Sequence, residues 1–520
     1  MAGAAAISGR GEAANRGLIT ISIMLATVMS SLDTTIANVA LPHIQGSVSA
    51  SQDQITWVLT SYIVAAAIMT PLTGWLAGKI GRKLVFMVSV GGFTLASALC
   101  GLANSLVEIV LFRLLQGLFG AALIPLSQAV LLDINPPEKH GQAMAVWGAG
   151  AILGPILGPA LGGWLTDNLT WRWVFFINLP IGIMAFTGIF LFIREHKQAG
   201  QRPFDFFGFA TLAVAIGAFQ LFLDRGQTQD WFSSMEVLIE FVVALLALFL
   251  FIVQTATARQ PFVDAMLFKD GNFVTATIFG FFIGILLFSS LALLPPFMEN
   301  LLGYSVVTTG LVSMPRGLGS FVAMFAVGQL VGRMDVRLIL LTGLMMTAIS
   351  AWEMAHFTLV MNATPIIFSG VFSGLGTGLI FVPLSTLAFA TIPVEKRTEA
   401  AGLFTLARNI GSSAGISIMT ALLSRNTDIV HSGLVQHIRP DNPMAHPPYV
   451  SSAMNFASQK GLALFDALAT QQAAMVAYID DFRLMLWITL LAIPMLLLMR
   501  PPRRAQGPKA KAADSHAAFE

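Results

Sequence analysis

Residues 18–41 read LITISIMLATVMSSLDTTIANVAL, twenty-four positions carrying one charge, Asp33. At ~1.5 Å rise per residue this is about 36 Å of helix, enough to cross a bilayer's hydrocarbon core. Asp33 stands about two-thirds of the way along, so it is neither a helix cap nor a headgroup anchor. An ionised Asp at that depth costs about 2.5–3.5 kcal/mol on insertion scales. Two readings account for it. A fixed partner neutralises it and it serves packing alone, or it gains and loses a proton during a transport cycle. The second is the expectation carried outward from this stretch.

The rest of the chain has the composition such a helix needs around it. Of 520 residues, 56% are hydrophobic and 11% charged, with a mean hydropathy of +0.76. A soluble domain carries roughly 25% charged residues, so the chain is expected to be a polytopic membrane protein. A single cysteine, Cys100, rules out an internal disulfide and a Cys-based metal site. Residues 1–17 are small, polar and weakly basic. The run that follows them is too long for a signal-peptide core and is expected to be a retained first span.

Hydrophobic runs predict fourteen spans, near 18–41, 55–77, 84–103, 107–131, 142–165, 173–193, 206–223, 236–256, 273–297, 306–330, 338–358, 365–391, 400–424 and 483–499. With the N-terminus inside, the short inner loops hold Lys79, Arg82, Lys83, Lys139, Arg194, Lys197, Arg202, Arg259, Lys269, Arg333, Arg337, Lys396 and Arg397. The short outer loops then hold only Arg172 and Arg225, which sets the orientation by the positive-inside rule. A basic tail, 500–520, is also placed inside, so both termini are expected in the cytoplasm. Residues 425–482 are expected as a long outer loop, Pro-rich and then helical.

An internal repeat divides the chain. Gly74-Trp-Leu-Ala-Gly78-Lys79-Ile-Gly81-Arg82-Lys83 is echoed by Gly328-Gln-Leu-Val-Gly332-Arg333-Met-Asp335-Val-Arg337. Pro125-Leu-Ser127 recurs as Pro383-Leu-Ser385, and Gly154 and Gly158 fall against Gly411 and Gly415. The predicted organisation is an N-terminal tail (1–17), a six-helix half (18–195), a linker with two extra spans (196–271), a second six-helix half (272–499) and a tail (500–520). Parallel halves about an axis along the membrane normal place a substrate at their interface and let the halves rock.

Several residues stand out against this frame. Arg113, in span four, and Asp33 fall about 9 and 12 Å from the outer ends of their helices, so they are candidates for a pair or a relay that Gln116 extends. Asn38 is a further relay or lining candidate. Arg316 and Arg408 are buried cations of the second half, suited equally to a polar or anionic substrate group or to backbone carbonyls. In span five, Gly150, Gly154, Gly158 and Gly162, with Gly163 beside them, strip one helix face to backbone for close helix approach. Pro155 and Pro159 each remove a backbone hydrogen bond and bias that helix to bend. A static packing seam and a pliable one that opens as the halves rock are the two readings. The 74–83 loop reads at minimum as a positive anchor. No phosphate-binding loop, HExxH or nucleophile elbow is present, so an enzyme or an ATP-driven pump is not indicated and no cofactor or metal is expected. The energy source expected is a proton gradient.

Together these residues resemble the major facilitator superfamily, specifically its fourteen-span drug:proton antiporters of the EmrB type. Ser31-Leu-Asp33-Thr-Thr35-Ile-Ala-Asn38 through Pro42 is similar to the family's first-span motif. The 74–83 stretch is similar to its loop motif, although Gly78 stands where the family usually carries an acid. Arg113-Leu-Leu-Gln116-Gly117 is similar to the span-four motif, and 154–163 to the antiporter motif. Trp171-Arg172-Trp173 through Gly182 and Leu223-Asp224-Arg225-Gly226 with Asp230-Trp231 are similar to stretches typical of this branch. The resemblance implies an all-α major facilitator fold of fourteen spans in a bacterial inner membrane. It also implies proton-coupled export of amphipathic drugs and toxic compounds, with a periplasmic adaptor like EmrA and an outer-membrane channel as partners. Nucleic acid is not an expected partner. Alternatives are a dedicated exporter of one metabolite (a siderophore, fatty acid or sugar) and a membrane sensor or scaffold. Titratable groups at depth argue against the last.

Overall fold

Apolar helices are the economical answer to a lipid solvent, because each satisfies its own backbone hydrogen bonds. The computed structural model of the chain describes residues 2–195, 203–331, 333–439, 456 and 458–499, and all their named elements are helical. The expected tail 500–520, part of the linker (196–202) and most of the Pro-rich stretch lie outside the described residues.

The first half consists of α1 (Ala2–Val48), α2 (Trp57–Met69, resumed as Leu72–Ile80), α3 (Arg82–Leu102), α4 (Leu106–Gly120, resumed as Leu123–Ile134), α5 (His140–Asn168) and α6 (Trp173–Phe176, resumed as Asn178–Phe192). Next come the inserted α7 (Phe206–Gly226) and α8 (Met235–Thr257). The second half consists of α9 (Gly271–Pro296), α10 (Val306–Leu330), α11 (Val336–Met354), α12 (Ala363–Ala390), α13 (Arg397–Val435) and α14 (Gln459–Ala492). Among the described residues, eleven helices are long and apolar enough to cross a membrane, and α2 makes a twelfth despite its 56° bend. The bend falls at Thr70-Pro71, where proline cannot donate to the preceding turn. The more polar α13 and α14 occupy the positions of the thirteenth and fourteenth expected spans.

These last two helices depart from the expected boundaries. Span thirteen was placed at 400–424, yet α13 runs 39 residues to Val435 and α14 begins at Gln459. At ~1.5 Å per residue α13 is about 58 Å long, well beyond one crossing. Much of the expected outer loop 425–482 is therefore a projecting helical hairpin, joined by His431 Nε2 and Asp466 Oδ1 at 3.0 Å.

The repeat read in the sequence appears as repeated packing. In the first half α1 lies on α5 and α6, α4 on α2 and α3, and α3 on α6; in the second α9 lies on α13 and α14, α12 on α10 and α11, and α11 on α14. The halves meet along α5–α10 and where the later part of α2 and α4 reaches α13. The inserted α7 packs on α2 and α13, while α8 packs mainly on α7. That leaves Leu245, Leu246, Phe249 and Ile252 of α8 exposed, as a lipid-facing helix requires.

Candidate functional site: a buried ion pair beside a glycine seam

Asp33 and Arg113 meet. Arg113 Nη1 donates to Asp33 Oδ2 at 2.7 Å, and the two side chains are 1% and 0% exposed. Gln116, one turn along α4, donates from Nε2 to Asp33 Oδ1 at 2.8 Å and accepts from Arg113 Nη1 at 2.7 Å. Asn178, at the break in α6, donates to the same Oδ1 at 2.8 Å and to Ser97 Oγ of α3 at 3.0 Å. Arg113 Nε donates to Val58 O at 3.1 Å, and its guanidinium lies 4.3 Å from the Tyr62 ring centroid. Gly117 permits this stacking, since a Cβ there would sit 2.4 Å from Tyr62 O. Five helices of the first half thus converge on one carboxylate.

Burial at this level makes an unpaired charge prohibitive, so the pair holds as a unit. Removing the charge of Asp33 would leave Arg113 with carbonyl, amide and aromatic partners only. Cys100 Sγ lies 3.7 Å from Gln116 Oε1 at the edge of this network. Asn38 is not part of it. It is exposed, one turn beyond the exposed Thr34, on another face of α1.

The glycine face of α5 packs against α1 on the side away from Asp33. A Cβ on Gly154 would meet Ser31 Oγ at 2.4 Å, one on Gly158 would meet Thr35 Oγ1 at 2.1 Å, and one on Gly150 would meet Met24 Cε at 1.8 Å. Gly162 faces Ile36 and Val39, and Gly163 accepts from Thr166. Pro155 leaves Ala151 O without its usual donor. Ser31 Oγ replaces it at 2.5 Å, and Thr35 Oγ1 donates to Gly154 O at 3.0 Å. Ser31 and Thr35 stand two positions either side of Asp33, roughly half a helical turn around, so α1 joins the carboxylate to the seam.

The 74–83 loop ties the halves together at the end of the bundle that carries the basic loops. Arg82 pairs with Asp133 of α4 and donates to Val394 O at 2.8 Å, and Arg397 of α13 donates to the same Asp133 at 2.9 Å. A Cβ on Gly74 would meet Glu399 Cα at 2.7 Å, so this loop also seats directly on α13. Gly81 has φ +95°, a conformation that favours glycine, and Lys83 donates to Phe190 O at 2.6 Å. The Arg397–Asp133 ion pair links the two six-helix halves at this end.

In the second half, Arg316 donates to Ser290 Oγ at 2.8 Å and approaches Leu287 O at 3.4 Å. Arg408 lies 5.6 Å from the Phe381 ring, and its Nε has no partner. No carboxylate pairs with either among the described residues. Phe381 stacks at 5.5 Å on Trp147 of α5, whose Nε1 donates to Ser127 Oγ at 2.8 Å. The sequence reading missed Ser97, Tyr62, Asp133 and Trp147, and it gave no role to Asn178, which falls inside the 171–182 stretch. A polar residue within an apolar run was the only signal for Ser97 and Asn178. Among the described residues, no three His, Cys, Asp or Glu are grouped to hold a metal.

Two six-helix halves, the first closed around a buried ion pair, define a secondary transporter rather than an enzyme. The chain belongs to the major facilitator superfamily, whose family profile matches residues 23–416, and within it to the EmrB-like drug-efflux family. It is 36% identical over 435 residues to the multidrug export protein EmrB of Haemophilus influenzae, covering 83% of this chain and 85% of that one. It is 34% identical over 499 residues to EmrB of Escherichia coli, covering 95% and 98%. The fatty acid resistance protein FarB of Neisseria gonorrhoeae is 34% identical over 494 residues, covering 94% and 97%. The proton:xylose symporter XylE shares the fold, with a TM-score of 0.60 at 13% identity over 94% of this chain and 100% of that one.

Proposed function

We propose that this transporter is a proton-coupled antiporter that exports amphipathic drugs and toxic compounds, and that Asp33 is its principal coupling carboxylate. The observation that carries the reading is the Asp33–Arg113 pair, sealed among five helices with both Asp33 oxygens engaged. Ionised, Asp33 holds Arg113, Gln116 and Asn178 together. Protonated, it weakens the charge-assisted bonds to all three, since hydrogen bonds to charged groups contribute about 1.5–3 kcal/mol against about 1 for neutral ones. Ser31 and Thr35 carry that change to the α5 seam, and the seam couples it to the rocking of the halves.

The basic end faces the cytoplasm of a bacterial inner membrane, with both termini inside, and the α13–α14 hairpin projects outward. That is the side on which an EmrA-like periplasmic adaptor and an outer-membrane channel would receive substrate. Names of the relatives support multidrug export as the cargo class. A second reading, export of one amphipathic acid, is favoured by Arg316 and Arg408, which pair with no carboxylate among the described residues, and by the name of the FarB relative. A substrate panel in a pump-deficient host, with and without the adaptor, separates the two.

Asp33→Asn keeps the side-chain shape and removes the titration. The expected result in proteoliposomes with an imposed pH gradient is normal insertion, retained substrate binding and loss of accumulation against a gradient. Asp33→Glu keeps partial activity with a shifted pH dependence. Wild-type coupling in Asp33→Asn would make the carboxylate structural.

A further inference from the structure

The inserted pair α7–α8 has no part in the cycle just described, yet α7 is built into the junction of the two halves. On its last turn Gln220 Nε2 donates to Asp224 Oδ1 at 3.0 Å and to Ser413 Oγ of α13 at 2.9 Å. The Thr60 hydroxyl approaches the same carboxylate from α2. Further along, Ser417 Oγ of α13 donates to Leu223 O, and Gln227 Nε2 reaches Thr420 O at 3.4 Å. Gln220, held by Asp224, therefore links the insert to the second half, and Thr60 of the first half stands beside the same carboxylate, at the end of the bundle opposite the Arg82–Asp133–Arg397 cluster.

Among the described residues, no cation pairs with the charge of Asp224. The adjacent Arg225 is held by Glu240 at 2.6 Å and Glu236 at 2.5 Å of α8. Residues 57–69 of α2 carry no charge; on α13 the charged groups nearest Ser413 and Ser417 are Arg408, which lies against the Phe381 ring, and Arg425, and the remaining charged group of the turn after α7 is Asp230. Asp224 Oδ2 is buried without a hydrogen-bond partner. An aromatic roof closes over this end. A Cβ on Gly226 would meet the Trp231 ring at 2.6 Å, and Phe222 packs against Trp231, Phe232 and Phe241. Asp230 and Trp231 adopt left-handed φ values of 54° and 51° to set Trp231 there.

We propose that Asp224 is a second proton-binding carboxylate of the transport cycle, and that its ionised form ties the outer ends of α2 and α13 to α7. A proton from the outer medium adds to the free Oδ2, and the neutral acid accepts more weakly from Gln220. The tie loosens, the outer ends of α2 and α13 move independently, and loss of the proton restores the junction. This inference rests on the proton-coupled reading of the transporter, but the junction can be measured separately.

Spin labels on Gln227→Cys and Thr420→Cys report the α7–α13 distance in the purified full chain, with the buried Cys100 left in place. The expected result is a short distance at neutral pH and a roughly tenfold fall in the short-to-long ratio on acidification, as a charge-assisted bond becomes a neutral one. Asp224→Asn in the labelled protein shows the loosened distribution at both pH values. Ser413→Ala, which removes one small acceptor and no charge, loosens the neutral-pH state while preserving a pH response. In proteoliposomes, Asp224→Asn still exports through Asp33 but with a flatter dependence on outer pH than the wild type. A pH-independent distance in the labelled parent, or an Asp224→Asn variant that matches it, overturns the proposal. Transport without proton movement in the wild type overturns the coupling roles of both Asp224 and Asp33, whereas a wild-type profile in Asp224→Asn beside an uncoupled Asp33→Asn removes Asp224 alone.

Discussion

The two six-helix halves share a packing plan and differ in how they treat buried charge. In each, a glycine-lined helix lies on the half's first helix. Gly154 and Gly158 of α5 touch Ser31 and Thr35 of α1, while Gly411 and Gly415 of α13 touch the Phe281 and Ile285 backbone of α9. In each, arginine is buried. Arg113 of the first half is closed by Asp33, whereas Arg316 and Arg408 of the second rest on a hydroxyl, a carbonyl and a ring. Packing constrains both copies alike, because a helix pair at backbone distance tolerates no added atoms. Charge is free to diverge once packing is met. One half has a switchable pair and the other has cations without a counter-charge, which suits proton handling on one side and polar-group recognition on the other.

Removing each cation in turn gives the sharpest break between the halves. Arg113→Met leaves Asp33 buried with only amide donors, and stranding a buried charge costs about 3–5 kcal/mol. Arg316→Met strands no charge, only the Ser290 hydroxyl and a long contact to Leu287 O, a loss of about 1 kcal/mol. Thermal unfolding in detergent should rank the first well below the second, and Asp33→Asn combined with Arg113→Met should recover most of the loss. Equal losses in the two single variants would end the distinction drawn here.

That distinction was half legible in the sequence. Asp33 and Arg113 could be read because a charge within an apolar run has few neutral explanations, and their similar depth followed from helix rise alone. The glycine stripe was legible because its spacing of four places every member on one face. Asn178 and Ser97 were not, since a small polar residue in a membrane helix acquires meaning only from the face it meets. Asp133 was missed for a related reason. It lies about fifty positions from the loop motif, and no local pattern connects it to Arg82 or Arg397. The length of α13 was hidden because hydropathy marks where lipid ends, while the helix continues through polar residues into water.

The seams sharpen the comparison at a second level. A Cβ at Gly158 meets the Thr35 hydroxyl at 2.1 Å, whereas one at Gly411 meets the Phe281 carbonyl oxygen at the same distance. A hydroxyl can rotate away, at the loss of its bond to Gly154 O; a helical carbonyl cannot move without its helix. Overpacking costs about 1–3 kcal/mol, so Gly411→Ala should lie toward the upper part of that range and Gly158→Ala toward the lower. Gly158→Leu exceeds what rotation can relieve. It should stop export while leaving the protein in the membrane, and normal export by a well-expressed Gly158→Leu would show that the stripe is only packing.

The smallest expected effect is where the halves are joined. Asp133 holds Arg82 of its own half and Arg397 of the other, and all three are partly exposed, at 19%, 12% and 13%. Water and salt therefore screen the cluster, and exposed pairs contribute about 0.2–1 kcal/mol each. Asp133→Asn removes both pairs and leaves two like charges facing each other across the seam. The stability of each half should hardly change, because neither core loses a contact. The change should fall instead on the equilibrium between closed and open states at the basic end. About 1 kcal/mol there corresponds to a roughly fivefold shift. Labels placed across the seam, beside Arg82 and Arg397, should register that shift toward the open state, and added salt should reproduce part of it in the unaltered protein. A large fall in unfolding temperature for Asp133→Asn would mean that the cluster braces the first half itself. An unchanged label distance would mean that the Gly74–Glu399 contact, rather than the charges, keeps this end shut.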